Sequence, residues 1–483
     1  MPAEIKDFRN ACEDTITLTK RWAAPMLSFF ITIISITCCL FSSSPALAEP
    51  SLLAKLTAEY NLDQINKSLA SKSYRGEEGI LRINPVMAEP LGLKVIQDQD
   101  YQKADEFYKE ASELFKRAVS EMKNADADDP AKIHAKNVAV LSARYNTTVV
   151  LAWNHMMSYR SKVTTGADER LNNEICFNLL ERLLREELDK ASYNLREALG
   201  GLWNRCQGMD GSHPLNTGNV EFVNNVFSAF VKTAPPDVTG KFNLDSEKDQ
   251  EGLNSMWKLI IEESAPRFVP VFERVFQRQS RGPYPINEIL FLALVRQESN
   301  FNPRSVSYVG AAGLTQIIPA TGLELGMNSI FNPDYLKEAQ EQMRLERTLR
   351  KKAIDQIFLI KDQDCIEPAQ QAVGYMKQSL ACGERRDKLL KRYRMELLQT
   401  SYDERLDPDR SLDYGLRYFS KMMNINNGDM SLALASYNAG PHRVSQYNGI
   451  PPFNETIEFR NKVLGYYEEY RSRVREYIAE NRE

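Results

Sequence analysis

Residues 291–321 read FLALVRQESNFNPRSVSYVGAAGLTQIIPAT, an apolar stretch that ends on a glutamate and opens into a glycine-rich loop. From Ile289 to Val295 no residue is polar, so a helix here is buried on every side. Pro285 before it and Asn302-Pro303 beyond it set its limits. Glu298 therefore stands at the exit of a core helix, where partial desolvation raises a carboxyl pKa and lets the group keep its proton near neutral pH. General-acid chemistry needs such a group. The negative end of the helix dipole disfavours a carboxylate at this position, a cost that fits a functional or protonated residue better than an ordinary glutamate.

Further motifs follow in order. QES at 297–299 and FNP at 301–303 are followed by GLTQIIPAT at 313–321, ASYNAGP at 435–441 and IPPFNET at 450–456. This set resembles the soluble lytic transglycosylases that cleave bacterial peptidoglycan, over roughly residues 284–467. The resemblance implies a lysozyme-like α-helical catalytic domain. It also implies one carboxyl, Glu298, that protonates the glycosidic oxygen between N-acetylmuramic acid and N-acetylglucosamine while the substrate's own N-acetyl group assists. The same carboxylate then deprotonates the 6-hydroxyl, giving a 1,6-anhydro-muramyl product without consuming water. Most glycosidases instead use two carboxyl groups.

The remaining site residues follow from the same comparison. Tyr437 is implied to reach toward Glu298 and position it, although a tyrosine ending an apolar helix is commonly a core residue with a satisfied hydroxyl. Gln316 lies in a loop of small residues that lets backbone approach a ligand, and its amide both donates and accepts, as N-acetyl sugars require. Ser299, Ser307, Asn438 and Glu455 complete the implied substrate contacts. Each serine taken alone reads as a loop hydroxyl satisfying backbone, and Glu455 reads equally as half of a buried ion pair. Thr315 and Ile318 stand where the family commonly has methionine, a departure that bears on sugar contacts. His442, in a turn after Pro441, is not expected to act in catalysis.

The chain has 483 residues, a net charge of −4 and 26% charged residues, with no basic cluster interleaved with aromatics, so a nucleic-acid partner is not expected. At the N-terminus, Lys20-Arg21, an apolar run over about 23–41 and Ala46-Leu47-Ala48 read as an export leader cleaved after Ala48. The alternative is an uncleaved anchor that tethers the protein to the membrane. Residues 35–37 do not make a lipidation site for Cys38 or Cys39. Export places the product in the periplasm or cell envelope and leaves Cys176, Cys206, Cys365 and Cys382 in an oxidising compartment. Unbroken helices between them, over 180–199 and after Pro368, would hold the cysteines of each pair too far apart to bond. Either a helix breaks, for instance at Gly374, or these cysteines are free. No Cys/His spacing suits a metal, and no cofactor is expected.

After a mixed stretch over 52–93 the pattern along the chain is strongly helical, and an all-α fold is expected. Ala104, Phe107, Ala111, Leu114, Phe115, Ala118 and Met122 recur at helical spacing, and helical stretches follow at 131–159, 174–199 and 220–231. No fixed repeat period is evident. The expected organisation is a leader at 1–48, an N-terminal helical domain at 49–265 and a lysozyme-like domain at 266–483. The last carries a helical insertion at 334–406, read as a hairpin on the domain's flank, after which Asp407-Pro408 restarts the family pattern. Peptidoglycan glycan strands are the expected partner, and the N-terminal helices offer a docking surface for an envelope protein. Two rival readings remain: a goose-type lysozyme, which needs a further carboxylate to hold water, and a non-catalytic cell-wall scaffold.

Overall fold

A computed structural model describes residues 48–96, 98–124, 132–209, 213–239, 241–242, 256–278, 283–400 and 402–481. Apart from Ala48, the leader lies outside them. Among the described residues the regular structure is helical, with only isolated bridges in loops, and no helix is long and apolar enough to cross a membrane. The chain divides into two compact units. One takes the described residues up to Glu106 and from Leu151 to Phe242; the other takes Phe107–Val150 and the described residues from Met256 onward.

The helices are α1 (Ala48–Ala70), α2 (Gln99–Lys123), α3 (Lys132–Lys162), α4 (Asn173–Lys190), α5 (Leu195–Gln207) and α6 (Val220–Thr233). The expected helix over 174–199 is in fact two, α4 and α5. The break falls at Ser192 and Tyr193, which take left-handed φ of 49° and 61°, and Asn194 caps the new helix by accepting from Glu197 N at 3.1 Å. Cys176 and Cys206 are nonetheless free and buried, and Cys365 and Cys382 are also free. The helix carrying Gly374 runs without interruption from Ile366 to Gln399.

The second unit continues with α7 (Trp257–Ser264), α8 (Val269–Gln277), α9 (Glu288–Ser299), α10 (Pro319–Glu324), α11 (Asp334–Ile357), α12 (Ile366–Gln399), α13 (Pro408–Ile425), α14 (Met430–Ala439), α15 (Pro441–Gln446) and α16 (Asn454–Glu480). Its centre is α9. Asn287 caps that helix, and every residue from Ile289 to Val295 is fully buried among α7, α8, α13, α14 and α16. Burying each of the larger side chains in that run stabilises the unit by about 1.5–3 kcal/mol. On α16, Tyr467 accepts from Asn287 and Arg296 pairs with Glu469. The first contact holds the start of α9 and the second holds its end, two residues from Glu298.

The insertion is a two-helix hairpin, α11 and α12. Near its tip, Phe358 stacks on Phe115 at 6.4 Å, and Asn146 donates to the carbonyls of Ile357 and Ile360. At its base, Leu336, Ala339, Leu390, Tyr393 and Leu397 pack on Ala312 and Val306. The base is thus the floor of the loop that follows Glu298, which a purely flanking hairpin would not be.

Candidate active site

After α9 the chain leaves the helix through Asn300 and Phe301, with φ of 47° and 57°, and forms the loop of Ser307, Gly313 and Gln316. Gly313 has φ of 81°, and a Cβ there would lie 1.6 Å from the Arg405 carbonyl oxygen, so only glycine fits. Arg405 and its partner Asp403 are buried beneath this loop at 0% and 2% exposure. The guanidinium donates to Gly310 O at 3.0 Å, to the Tyr393 hydroxyl at 2.9 Å and to both oxygens of Asp403. A buried pair satisfied on this many sides holds the loop in one conformation.

Glu298 is half-buried as a residue. Burial of its carboxyl, and secondarily the charge of Glu455, push its pKa up to about 8. Among the described residues no hydrogen bond or ion pair engages this carboxyl. At neutral pH it is therefore protonated and unspent.

Tyr437, on α14, is buried, and its hydroxyl donates to the Thr315 carbonyl at 2.7 Å. Burial, then the nearby charge of Glu298, raise its pKa well above the ordinary phenol value. Thr315 is fully buried and its hydroxyl donates to Ser411 O at 2.8 Å. The residue at the family's methionine position is thus an internal strut with no surface for a sugar. Ile318 is 38% exposed.

Gln316 takes φ of 48°, and its amide nitrogen donates to Ser305 O at 3.0 Å and Gly313 O at 2.8 Å. Both amide protons are committed to the loop, leaving the side-chain oxygen as an acceptor. The Ser307 hydroxyl accepts from Val309 N and Ala311 N, which leaves its own proton to donate. Ser299 turns back onto its helix, donating to Val295 O at 3.2 Å. Asn438 accepts from Thr456 at 2.8 Å.

Glu455 is exposed and accepts from the Tyr308 hydroxyl at 3.1 Å; it is not part of a buried ion pair. Its charge reaches Glu298, so the structure brings Glu298, Tyr437 and Glu455 to one place, with Gln316 and Ser307 on the adjoining loop. Sequence reasoning missed Tyr308, 60% exposed beside Ser307. The raised pKa of its phenol comes from desolvation and then Glu455, opposed by Arg347 and Arg386 of the hairpin. Its place in the glycine-rich loop was the available signal. Among the described residues no cluster of His, Cys, Asp or Glu is arranged to hold a metal.

Residues 277–344 and 387–459 match the transglycosylase SLT domain family, the match passing over the distal half of the hairpin. Similar proteins include the membrane-bound lytic murein transglycosylase C of Histophilus somni, 40% identical over 57 residues, which cover 12% of this chain and 14% of that protein. The Photorhabdus laumondii protein of the same name is 34% identical over 82 residues, covering 16% of this chain and 22% of its own. The chain thus spans only a small part of the length of these relatives. The solved 70 kDa soluble lytic transglycosylase of Escherichia coli aligns over 89% of this chain and 52% of its own, with 14% identity and a TM-score of 0.26.

Proposed function

We propose that the protein is a peptidoglycan lytic transglycosylase, with Glu298 as general acid and then general base. What supports this reading is the buried, unpartnered carboxyl of Glu298 at the end of α9, its pKa pushed up to about 8 by burial and then by Glu455. Glu298 gives its proton to the glycosidic oxygen as the bond from C1 of N-acetylmuramic acid breaks, and the neighbouring N-acetyl group shares the positive charge. The carboxylate then takes the proton of the 6-hydroxyl, whose oxygen bonds to C1. A 1,6-anhydro end forms and Glu298 regains its proton, so the cycle closes without water.

Tyr437 supports this cycle because its proton is given to Thr315 O, so the phenol has no proton left to stabilise a Glu298 carboxylate. Gln316 accepts from, and Ser307 donates to, the sugar's polar groups; Ser299, Asn438 and Glu455 line the same region. The catalytic domain is residues 266–483. The relatives' names and the leader at 1–48 support a periplasmic or envelope location, where the N-terminal unit is available to an envelope partner. An uncleaved leader would add a membrane tether.

One observation favours a hydrolytic alternative. Glu455 is a carboxylate close enough to act on Glu298, as a lysozyme-type water-holding base would be. Product mass separates the two reactions, because the anhydro product is lighter than the hydrolytic one by a water. Anhydro ends that persist in Glu455→Gln support the transglycosylase. Water-added ends that depend on Glu455 support the hydrolase.

A further inference from the structure

The first unit repeats the site loop of the second. Residues 73–92 read SYRGEEGILRINPVMAEPLG, and residues 307–326 read SYVGAAGLTQIIPATGLELG. The left-handed positions coincide: Gly76, Gly79, Arg82 and Gly92 have φ of 86°, 68°, 50° and 83°, against 86°, 81°, 48° and 95° for Gly310, Gly313, Gln316 and Gly326. The bridge Glu78–Ile83 matches Ala312–Ile317. A two-helix pair follows each loop, α2 with α3 and α11 with α12, and each pair leads to the sequence DERL, at 168–171 and 403–406.

The buried networks also correspond. Arg170 is fully buried, binds both oxygens of Asp168, donates to Gly76 O at 2.7 Å and meets the Tyr159 hydroxyl. Arg405 does the same with Asp403, Gly310 O and Tyr393. A Cβ on Gly79 would lie 1.8 Å from Arg170 O, as one on Gly313 would lie 1.6 Å from Arg405 O. Glu169 N donates to Lys94 O and Glu404 N to Ser329 O, both at 2.9 Å. Beyond DERL, α5 capped by Asn194 matches α14 capped by Asp429. In α6, Phe222, Asn224 and Val226 are buried as Phe459, Asn461 and Val463 are in α16. Local turn chemistry alone would reproduce one loop, but not a buried Arg–Asp–Tyr network and two packed helices in the same order.

We propose that the first unit is a second copy of the transglycosylase-type domain, disabled for chemistry. Ser73 and Tyr74 keep the identities of Ser307 and Tyr308, but the other groups the working site uses are changed. Leu202 stands where Tyr437 does, Leu81 for Thr315, Arg82 for Gln316, Trp203 for Asn438 and Gly218 for Glu455. On α1, the helix entering the loop, Asn61 and Gln64 are the buried polar residues and Asn61 donates to Ile80 O, while Glu59 and Asp63 are exposed. The buried carboxyl on the loop itself, Glu78, is occupied by Tyr74 and Arg160. None of these carboxyls is both buried and without a partner.

The test uses the full chain. In an experimental structure, one rigid-body operation should lay 73–92, 168–171 and 194–203 on 307–326, 403–406 and 429–438. Failure of a single operation overturns the duplication. In sacculus digestion, Glu78→Gln should leave the rate per folded molecule unchanged and Glu298→Gln should abolish turnover. Turnover that survives Glu298→Gln and vanishes when Glu78→Gln is added shows an active first unit and overturns the disabled state. Turnover that survives both removes Glu298 from the chemistry and leaves the duplication to be judged by the superposition, so the two failures are distinguishable.

Discussion

The Tyr437 hydroxyl places its single proton on the carbonyl oxygen of Thr315, 2.7 Å away, across the core from α14 to the site loop. This bond ties the helix carrying Tyr437 to the loop carrying Gln316, while the phenol oxygen stays close enough to Glu298 to feel its charge. The hydroxyl thus joins two elements of the fold, and we propose that it also tunes the acid.

Tyr437→Phe should show both roles. Leaving the Thr315 carbonyl unsatisfied in the core should lower stability by about 1–3 kcal/mol. Turnover per folded molecule should also fall, by about tenfold for each 1.4 kcal/mol of lost transition-state support. The melting midpoint and the rate on one preparation check this. A lowered midpoint beside an unaltered rate would confine Tyr437 to the core.

Glu298→Gln should stabilise the protein in a pH-dependent way. The carboxyl titrates near 4.5 when unperturbed and near 8 in the fold, so the folded state holds a proton that the unfolded state has released between those values. Wild-type stability therefore loses ground as pH rises through that window, and the glutamine variant escapes the loss. The difference in melting midpoint should grow from about pH 4.5 to about pH 8 and then level off. A difference independent of pH would contradict a raised pKa at this site.

The hairpin should divide into a dispensable tip and an indispensable base. Joining residue 344 to residue 387 through a short linker keeps Leu336, Tyr393 and Leu397 against the loop, and bond cleavage should persist. Arg405→Met leaves Asp403 buried without its partner and should cost about 3–5 kcal/mol, with activity lost as the loop loosens. Thermal melts and sacculus digestion on both variants check this. Loss of turnover in a well-folded tip deletion would show that the distal helices build the groove.

The buried helix α9 and its terminal glutamate were legible because an unbroken apolar run at 289–295 permits only a buried helix, and because turn residues mark its ends. The break at 191–194 was not, since Ser192 and Tyr193 adopt left-handed backbone without a glycine to signal it. The bond from Tyr308 to Glu455 and that from Tyr437 to Thr315 join residues far apart in sequence, beyond the reach of local spacing. The commitment of both Gln316 amide protons to its own loop likewise depends on a backbone path that no side-chain pattern encodes. The second DERL sequence carried a signal, but a lone recurrence separated by long helices produces no period.

The most direct test of the central claim is the mass of the muropeptides released from purified sacculi by the wild-type protein and by Glu298→Gln. The account predicts 1,6-anhydro products from the wild type, one water lighter than hydrolytic ones, and a loss of at least about 10²–10⁴-fold in the variant. Water-added products from the wild type, or near-normal digestion by the folded variant, would contradict it.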